Sequence, residues 1–80
     1  MNKQRRKELK EAIKGINTAQ WVIDAVRDCE QESFENMPES IQESDRGENM
    51  STHVDEMDDL LMELESIEQR IDAIIENELV

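Results

Sequence analysis

The chain has little of what β-sheets and tight turns require. Its 80 residues include one Trp, one Phe, no Tyr, one Pro and two Gly. Strands favour aromatic and β-branched residues, and the turns between them favour Gly and Pro. A β-sandwich or barrel is therefore excluded, and the 38% of charged residues, set in long periodic stretches, indicate helices instead.

Disulfides and membrane-spanning segments are also excluded by composition. Cys29 is the single cysteine, so no internal disulfide can form. No run of apolar residues is longer than three, far below the roughly 20 that a membrane helix needs. The basic start of the chain is not followed by the apolar stretch of a secretion signal. We therefore expect a protein of the reducing cytoplasm.

Apolar residues recur at alternating spacings of three and four in two long segments, the pattern of helices that each bury one stripe. In the first segment the stripe comprises Leu9, Ala12, Ile16, Ala19, Ile23 and Val26, with Ile13 beside it. In the second it comprises Met50, Met57, Leu60, Leu64, Ile67, Ile71 and Ile74, with Val54, Leu61 and Ile75 beside it and His53 at one stripe position. We expect these stripes to form a seam between two helices.

Pro38 separates the two segments, because Pro cannot continue a helix and disfavours helical geometry at the preceding Met37. Asp45 and Glu48 have the spacing of a helix N-cap and a carboxylate that bonds back to it. We therefore predict a single domain, 1–80, with a first helix over about 4–35, a connector over 36–45 and a second helix over about 46–78.

Two helices of equal length and a short connector predict an all-α fold, an antiparallel two-helix coiled-coil hairpin in which facing residue numbers sum to about 81. In a chain of this size a single apolar seam rarely outweighs the ordering cost of about 1.5 kcal/mol per residue. We therefore expect two hairpins to dimerise into a four-helix bundle.

The charge is divided unevenly along this hairpin. The first fourteen residues carry six basic and two acidic side chains, a net charge of +4. Residues 28–65 carry fourteen carboxylates against Arg46 alone, a net charge of −13, while the whole chain has −12. Over a half-rod of roughly 27 Å this is about one charge per 2 Å, close to the roughly 1.7 Å per charge of duplex DNA.

This acidic half, residues 28–65, has two interpretations. It can be a solvated surface that keeps a small bundle soluble, or it can mimic nucleic acid and occupy the basic channel of a nucleic-acid-binding protein. For the second interpretation the candidate partner-binding residues are Glu48, Asp55, Glu56, Asp58, Asp59 and Glu63. Direct nucleic-acid binding by the basic start is disfavoured, because the −13 on the same rod repels phosphate and no aromatic residues lie among the basic ones.

Trp21 and Met62 are large apolar residues that fall outside both stripes. In the expected hairpin they lie at similar levels, away from the seam. An exposed Trp is a frequent anchor of protein contacts. We expect the two residues to mark either the dimer interface or a patch for another protein.

The sequence contains no constellation of catalytic or metal-ligating residues. On a helix Ser51 and Asp55 share a face that His53 does not, which excludes a nucleophile triad. A dinuclear metal bundle needs Glu-x-x-His pairs, and the chain has none. We therefore predict no enzyme activity, no metal and no cofactor.

The segment FENMPESIQESDRGE, residues 34–48, lies between a basic helix and an acidic one. In this layout the chain resembles a set of small uncharacterised acidic two-helix proteins encoded by phages and mobile elements of Gram-positive bacteria. The resemblance implies a mobile-element context, in which small acidic inhibitors of host defence systems are common. It brings no residue-level function with it.

These observations together predict a non-enzymatic protein–protein interaction module. Its expected partner is a nucleic-acid-binding host protein whose basic surface the acidic half occupies, with no direct binding of nucleic acid or membrane by the module itself. A structural or assembly coiled coil without such mimicry is the alternative.

Overall fold

The computed structural model of the protein describes residues 1–77. It contains three helices: α1 (Lys3–Glu35), α2 (Glu39–Gln42) and α3 (Asp45–Asn77). The described part of the chain contains no strand and measures 59 × 15 × 13 Å. The prediction of an all-helical, elongated protein is therefore confirmed. Both long helices start one residue before the predicted positions, and the predicted end at Glu78 lies outside the described residues.

The two long helices lie side by side and run in opposite directions. Each has 33 residues, about 50 Å at 1.5 Å per residue, so a molecule 59 Å long holds them only alongside each other. Arg27 of α1 donates to Asp58 of α3. Nearer the open end, where α1 begins and α3 ends, the Asn17 amide faces Glu68 at 3.0 Å when its nitrogen is oriented toward the carboxylate. Residue numbers therefore rise along α1 as they fall along α3.

The register of the two helices differs from the predicted one. In both contacts the residue numbers sum to 85, whereas the predicted sum was about 81. This difference is about one helical turn. It arises because the first turn of α3 extends past the end of α1 and packs against α2 instead.

The seam between α1 and α3 also differs from the predicted stripes. Alternate residues of each predicted stripe are exposed, and the residue that follows each of them lies in the seam instead. On α1 the half-buried residues at heptad spacing are Leu9, Ile13, Ile16, Gln20, Ile23 and Arg27, whereas the predicted Ala12, Ala19 and Val26 are exposed. On α3 the buried or half-buried residues at heptad spacing are Met50, Val54, Met57, Leu61, Leu64, Glu68, Ile71 and Ile75, whereas the predicted His53, Leu60, Ile67 and Ile74 are exposed. The predicted seam is wrong at these seven exposed positions.

Each of the seven residues immediately precedes the seam residue that takes its place. Each helix thus carries two overlapping stripes one residue apart, and a single neighbouring helix covers only one of them. The covered stripe has the bulkier residue where Ile13 replaces Ala12, and it brings Arg27 within reach of Asp58. At 3% exposure, Val54 is the one fully buried apolar side chain among the described residues.

Polar side chains end α1 at both termini. The Asn2 side-chain oxygen accepts a hydrogen bond from the Arg5 backbone N–H at 2.8 Å, which satisfies one of the free donors of the first turn. At the other end Gln42 donates from its side-chain nitrogen to the backbone carbonyls of Phe34, at 3.0 Å, and Met37, at 3.1 Å. Gln42 thereby connects the short helix α2 to the carbonyl groups that the end of α1 leaves free.

Ser44, and not the predicted Asp45, precedes the first turn of α3. The Ser44 Oγ accepts from the Gly47 backbone N–H at 3.4 Å, and the Ser44 carbonyl accepts from the Glu48 N–H at 2.9 Å. Asp45 is the first residue of the helix, where its charge favours the positive end of the helix dipole. The predicted cap was therefore one residue too late.

Gly47 lets α2 pack against the start of α3. It is buried, and a Cβ at this position would lie 2.5 Å from the Ile41 carbonyl oxygen and closer still to that of Gln42. Both are backbone atoms, so only a movement of the whole connector relieves the clash. Gly15, in the middle of α1, has nothing within 4 Å of the corresponding Cβ position.

The two glycines should therefore respond oppositely to alanine. We expect Gly47→Ala to lower the free energy of unfolding by about 2–3 kcal/mol through overpacking. Gly15→Ala should raise it by about 0.5–1 kcal/mol through helix propensity. Urea unfolding followed by circular dichroism, at equal protein concentrations, measures both. A Gly47→Ala variant as stable as the parent would contradict the observed packing of α2.

Candidate protein-interaction site

The outer side of α3 in the acidic half carries a row of exposed carboxylates. Of the six predicted partner-binding residues, five are exposed: Glu48, Asp55, Glu56, Asp59 and Glu63. None of these five residues occupies a seam position of α3, and their side chains project away from α1. From Glu48 to Glu63 the row extends about 22 Å along one continuous helix. A rigid helix therefore holds these charges at fixed spacings.

Asp58, the sixth predicted residue, lies instead against α1. It is half-buried, and its two oxygens accept from Arg27 Nε at 2.8 Å and from Arg27 Nη2 at 3.4 Å. Arg27 also donates from Nη1 to its neighbour Asp28 at 3.3 Å. Asp58 therefore serves the contact between the helices and is less available to another protein than the exposed five. No sequence signal identified this pair, because it depends on the register.

The electrostatics of Arg27 follow from these bonds. The hydrogen bond to Asp58 is the main cause that raises the pKa of Arg27; partial burial opposes this effect, and the bond to Asp28 adds to it. The guanidinium is therefore charged at every pH of interest. It occupies a seam position that an apolar residue usually holds. A charged side chain there favours the single register in which Asp58 is within reach.

Trp21 lies on one broad side of the rod formed by α1 and α3. It is 75% exposed and lines a shallow cleft of about 430 Å³ with Gln20, Asp24, Leu61, Glu65 and Glu68. Met62 is 69% exposed and does not line this cleft, although it lies one helical turn from Glu65. We call this the Trp21 side. It combines two exposed apolar side chains with several carboxylates.

The opposite broad side carries the stripe that α1 and α3 do not bury against each other. It comprises Ala12, Ala19 and Val26 on α1 and Leu60, Ile67 and Ile74 on α3, all of them exposed. We call these six residues the uncovered stripe. Val22 of α1 lies beside it and is 51% exposed. The apolar spacing of the sequence predicted that the six residues of the uncovered stripe lie in the seam, whereas all six are exposed.

All basic residues of α1 except Arg27 lie toward the open end of the rod. Lys3, Arg6, Lys7 and Lys10 line a shallow cleft of about 440 Å³ with Gln4 and Ile75. This end lies opposite the connector end of the rod, which is 59 Å long. The segregation of charge along the rod is therefore a property of the fold as well as of the sequence.

Within residues 1–77 no group of three or more His, Cys, Asp and Glu side chains is arranged to hold a metal ion. His53 is exposed and not part of the seam, contrary to the prediction. No helix in this part of the chain is long and apolar enough to cross a membrane. The described surface offers charge, one exposed indole, an apolar stripe and the exposed thiol of Cys29.

Comparison with protein-family models, curated protein sequences and solved structures finds no match for this chain.

The crowding of carboxylates in the acidic half should make the fold more stable in salt. Raising NaCl from about 20 mM to about 0.5 M shortens the Debye length from roughly 20 Å to roughly 4 Å and screens the repulsion among them. We expect the thermal unfolding midpoint to rise by several degrees. A triple variant, Asp55→Asn, Glu56→Gln and Asp59→Asn, should show a smaller rise. A midpoint that falls with salt would mean that attractive ion pairs outweigh the repulsion.

Proposed function

We propose that the protein is a non-enzymatic interaction module whose acidic half occupies the basic, nucleic-acid-binding surface of another protein. The observation that carries this proposal is the row of exposed carboxylates on the outer side of α3, in a half of the chain where Arg46 is the only basic residue. A solvating surface requires only a favourable net charge. A mimic also requires closely spaced charges held in a fixed array, and a continuous helix supplies that.

Fixed spacing favours binding because the carboxylates lose little freedom when a partner engages them. A strongly negative half-rod also attracts a positively charged channel over a distance and accelerates association. The phage or mobile-element context implied by residues 34–48 supports a host protein as the partner. We propose that the encounter takes place in the bacterial cytoplasm.

We further propose that the antiparallel pair is a coiled-coil hairpin that associates with a second copy. Val54 is the one buried apolar side chain among the described residues, and large apolar side chains such as Val22, Val26 and Leu60 are exposed. Two hairpins in a four-helix bundle would cover more of this apolar surface. In this arrangement the module presents two acidic halves to its partners.

A structural or assembly coiled coil is the second candidate function, and the uncovered stripe favours it. An apolar stripe at heptad spacing is what a chain needs to join a larger helical assembly. The two functions differ in salt dependence, since carboxylate-driven binding weakens as salt rises whereas apolar pairing does not. The same chain can have both properties if the two surfaces act independently.

A comparison of two isosteric amide variants tests the proposed function. Asp55→Asn, Glu56→Gln and Asp59→Asn remove three charges from the acidic half. Glu11→Gln, Asp72→Asn and Glu76→Gln remove three from the open end and form the matched control. With tagged proteins in a Gram-positive bacterial lysate, the parent and the control should capture a nucleic-acid-binding protein that salt elutes. The first variant should capture much less of it.

Competition with duplex DNA separates mimicry from general charge attraction. Added DNA should displace the captured protein from the parent chain, because both ligands would occupy one basic channel. Capture that is equal for both amide variants, or that DNA does not affect, would contradict the proposal. Recovery of the chain alone would favour the structural coiled coil.

Trp21 is proposed as an anchor for the same partner. With an isolated partner, Trp21→Ala should weaken binding about tenfold or more, as the loss of an exposed aromatic contact typically does. Val22→Ala, the neighbouring change on the opposite broad side, serves as the control and should leave partner affinity unchanged. Isothermal titration calorimetry measures both. Equal affinities for the two variants would show that Trp21 does not contact the partner.

A further inference from the structure

The uncovered stripe forms layers that cross from α1 to α3. In the observed register Ala12 lies at the level of Ile74, and Ala19 at the level of Ile67. Val26 lies at the level of Leu60 in the same way. Each layer thus places a smaller side chain on α1 beside a larger one on α3. The three large residues are between 42% and 46% exposed, which is unusual for side chains spaced at regular heptad intervals.

We propose that the uncovered stripe is the surface through which two copies of this chain associate, with the connector end of one copy over the open end of the other. This inference rests on the self-association proposed above. It specifies which face of the rod is buried in the dimer and in which relative direction the two copies lie. It also leaves the Trp21 side and the outer carboxylates from Glu48 to Asp59 accessible to another protein, whereas Glu63, the last residue of that row, lies at the edge of the dimer interface.

The size of the face is sufficient for a stable dimer. One broad side of a rod 59 Å long and 15 Å wide offers roughly 900 Å², compared with about 800 Å² per partner in a standard protein interface. The stripe itself extends about 21 Å along the middle of this side, from the level of Ala12 to that of Val26. Helices packed at 8–10 Å would bury the three large side chains of each copy.

The proposed direction places the stripe in register with itself. If the twofold axis passes at Ile67, then Ile67 meets its own counterpart and Leu60 lies opposite Ile74 of the second copy. On α1 the same axis places Ala12 opposite Val26 of the second copy. Ile67 lies at the level of Ala19, near the middle of the rod. The two rods therefore overlap over nearly their whole length.

Charge favours this direction over the reverse. If the two copies pointed the same way, the acidic half of one copy, with a net charge of −13, would lie over the acidic half of the other. Glu63 would then face the apolar Val22 of the second copy. With the copies pointing in opposite directions, Arg70 lies opposite Glu63 of the second copy, and this pair occurs twice. Both side chains are exposed in the single chain and free of the seam.

The Trp21 side is a poorer surface for self-association. Asp24 and Glu65 line its cleft, and Asp72 follows on the same face of α3. Two such sides placed together would bury these carboxylates, a cost that the single Lys14, one heptad before Trp21 on the same face of α1, offsets only in part. The structure therefore separates a face for a second copy from a face for a different protein.

Two matched substitutions test which face is buried. Ile67→Glu places two carboxylates at the proposed twofold axis. Met62→Glu makes a comparable change of an exposed apolar residue on the Trp21 side of the same helix. By sedimentation equilibrium the parent chain and Met62→Glu should have twice the monomer mass of 9.4 kDa. The dissociation constant of the Ile67→Glu dimer should rise by about 100-fold or more.

A charge exchange tests the direction of the two copies. Arg70→Glu and Glu63→Arg should each weaken the dimer, because each places like charges opposite one another. The double variant should restore the parent dissociation constant to within a few-fold. Residues 63 and 70 are two turns apart on one helix, so the rescue would not come from a contact within one chain.

The outcomes are distinct from those of the partner experiment, because association is measured on the purified chain alone. The inference is supported if Ile67→Glu weakens the dimer, Met62→Glu does not, and the double variant Arg70→Glu with Glu63→Arg restores the association that each single variant weakens. A monomeric parent chain overturns it. So does a dimer that Met62→Glu disrupts and Ile67→Glu does not, which would assign self-association to the Trp21 side. Absence of rescue in the double variant overturns the proposed direction.

Discussion

One neighbouring helix can cover only one stripe of another, and this constraint determines the surface of the molecule. Both long helices carry two apolar stripes one residue apart, so pairing α1 with α3 necessarily leaves one stripe of each in solvent. Val54 alone is fully buried among the described apolar side chains. The pair of helices α1 and α3 therefore has too few buried apolar side chains to form a complete hydrophobic core. The buried seam holds α1 and α3 together as a rod. The exposed surfaces determine which molecules the rod can bind.

The Arg27–Asp58 pair favours the register in which α1 and α3 meet. A seam of apolar residues alone would tolerate a shift of one helical turn, because such contacts are weakly directional. A guanidinium that donates to both oxygens of one carboxylate has a fixed geometry and tolerates no such shift. A single register determines both the distribution of charge along the rod and the position of the uncovered stripe on its surface. The acidic half, the Trp21 side and the uncovered stripe then lie on different parts of the surface.

The sequence was sufficient for the features that depend on local spacing. Heptad periodicity predicted two long helices, and Pro38 correctly placed the break between them. It was insufficient where two local patterns competed. The spacing through Ala12, Ala19 and Val26 is the more regularly apolar one, yet contact with α3 covers the spacing through Ile13, Gln20 and Arg27. The register also depends on the packing of Gly47 against the α2 backbone, which no periodicity encodes. Five of the six candidate carboxylates are exposed. The hydrogen bond that Arg27 donates to Asp58, the sixth, was not predicted, because it depends on the register.

The position of Trp21 has a practical consequence for studying this chain in solution. There is one Trp and no Tyr, so the near-ultraviolet emission of the protein comes from a single point. That indole is three-quarters exposed on the side opposite the uncovered stripe. Its emission maximum therefore reports the polarity at one location. A blue shift would signal contact on the Trp21 side and would be largely insensitive to events on the other broad side.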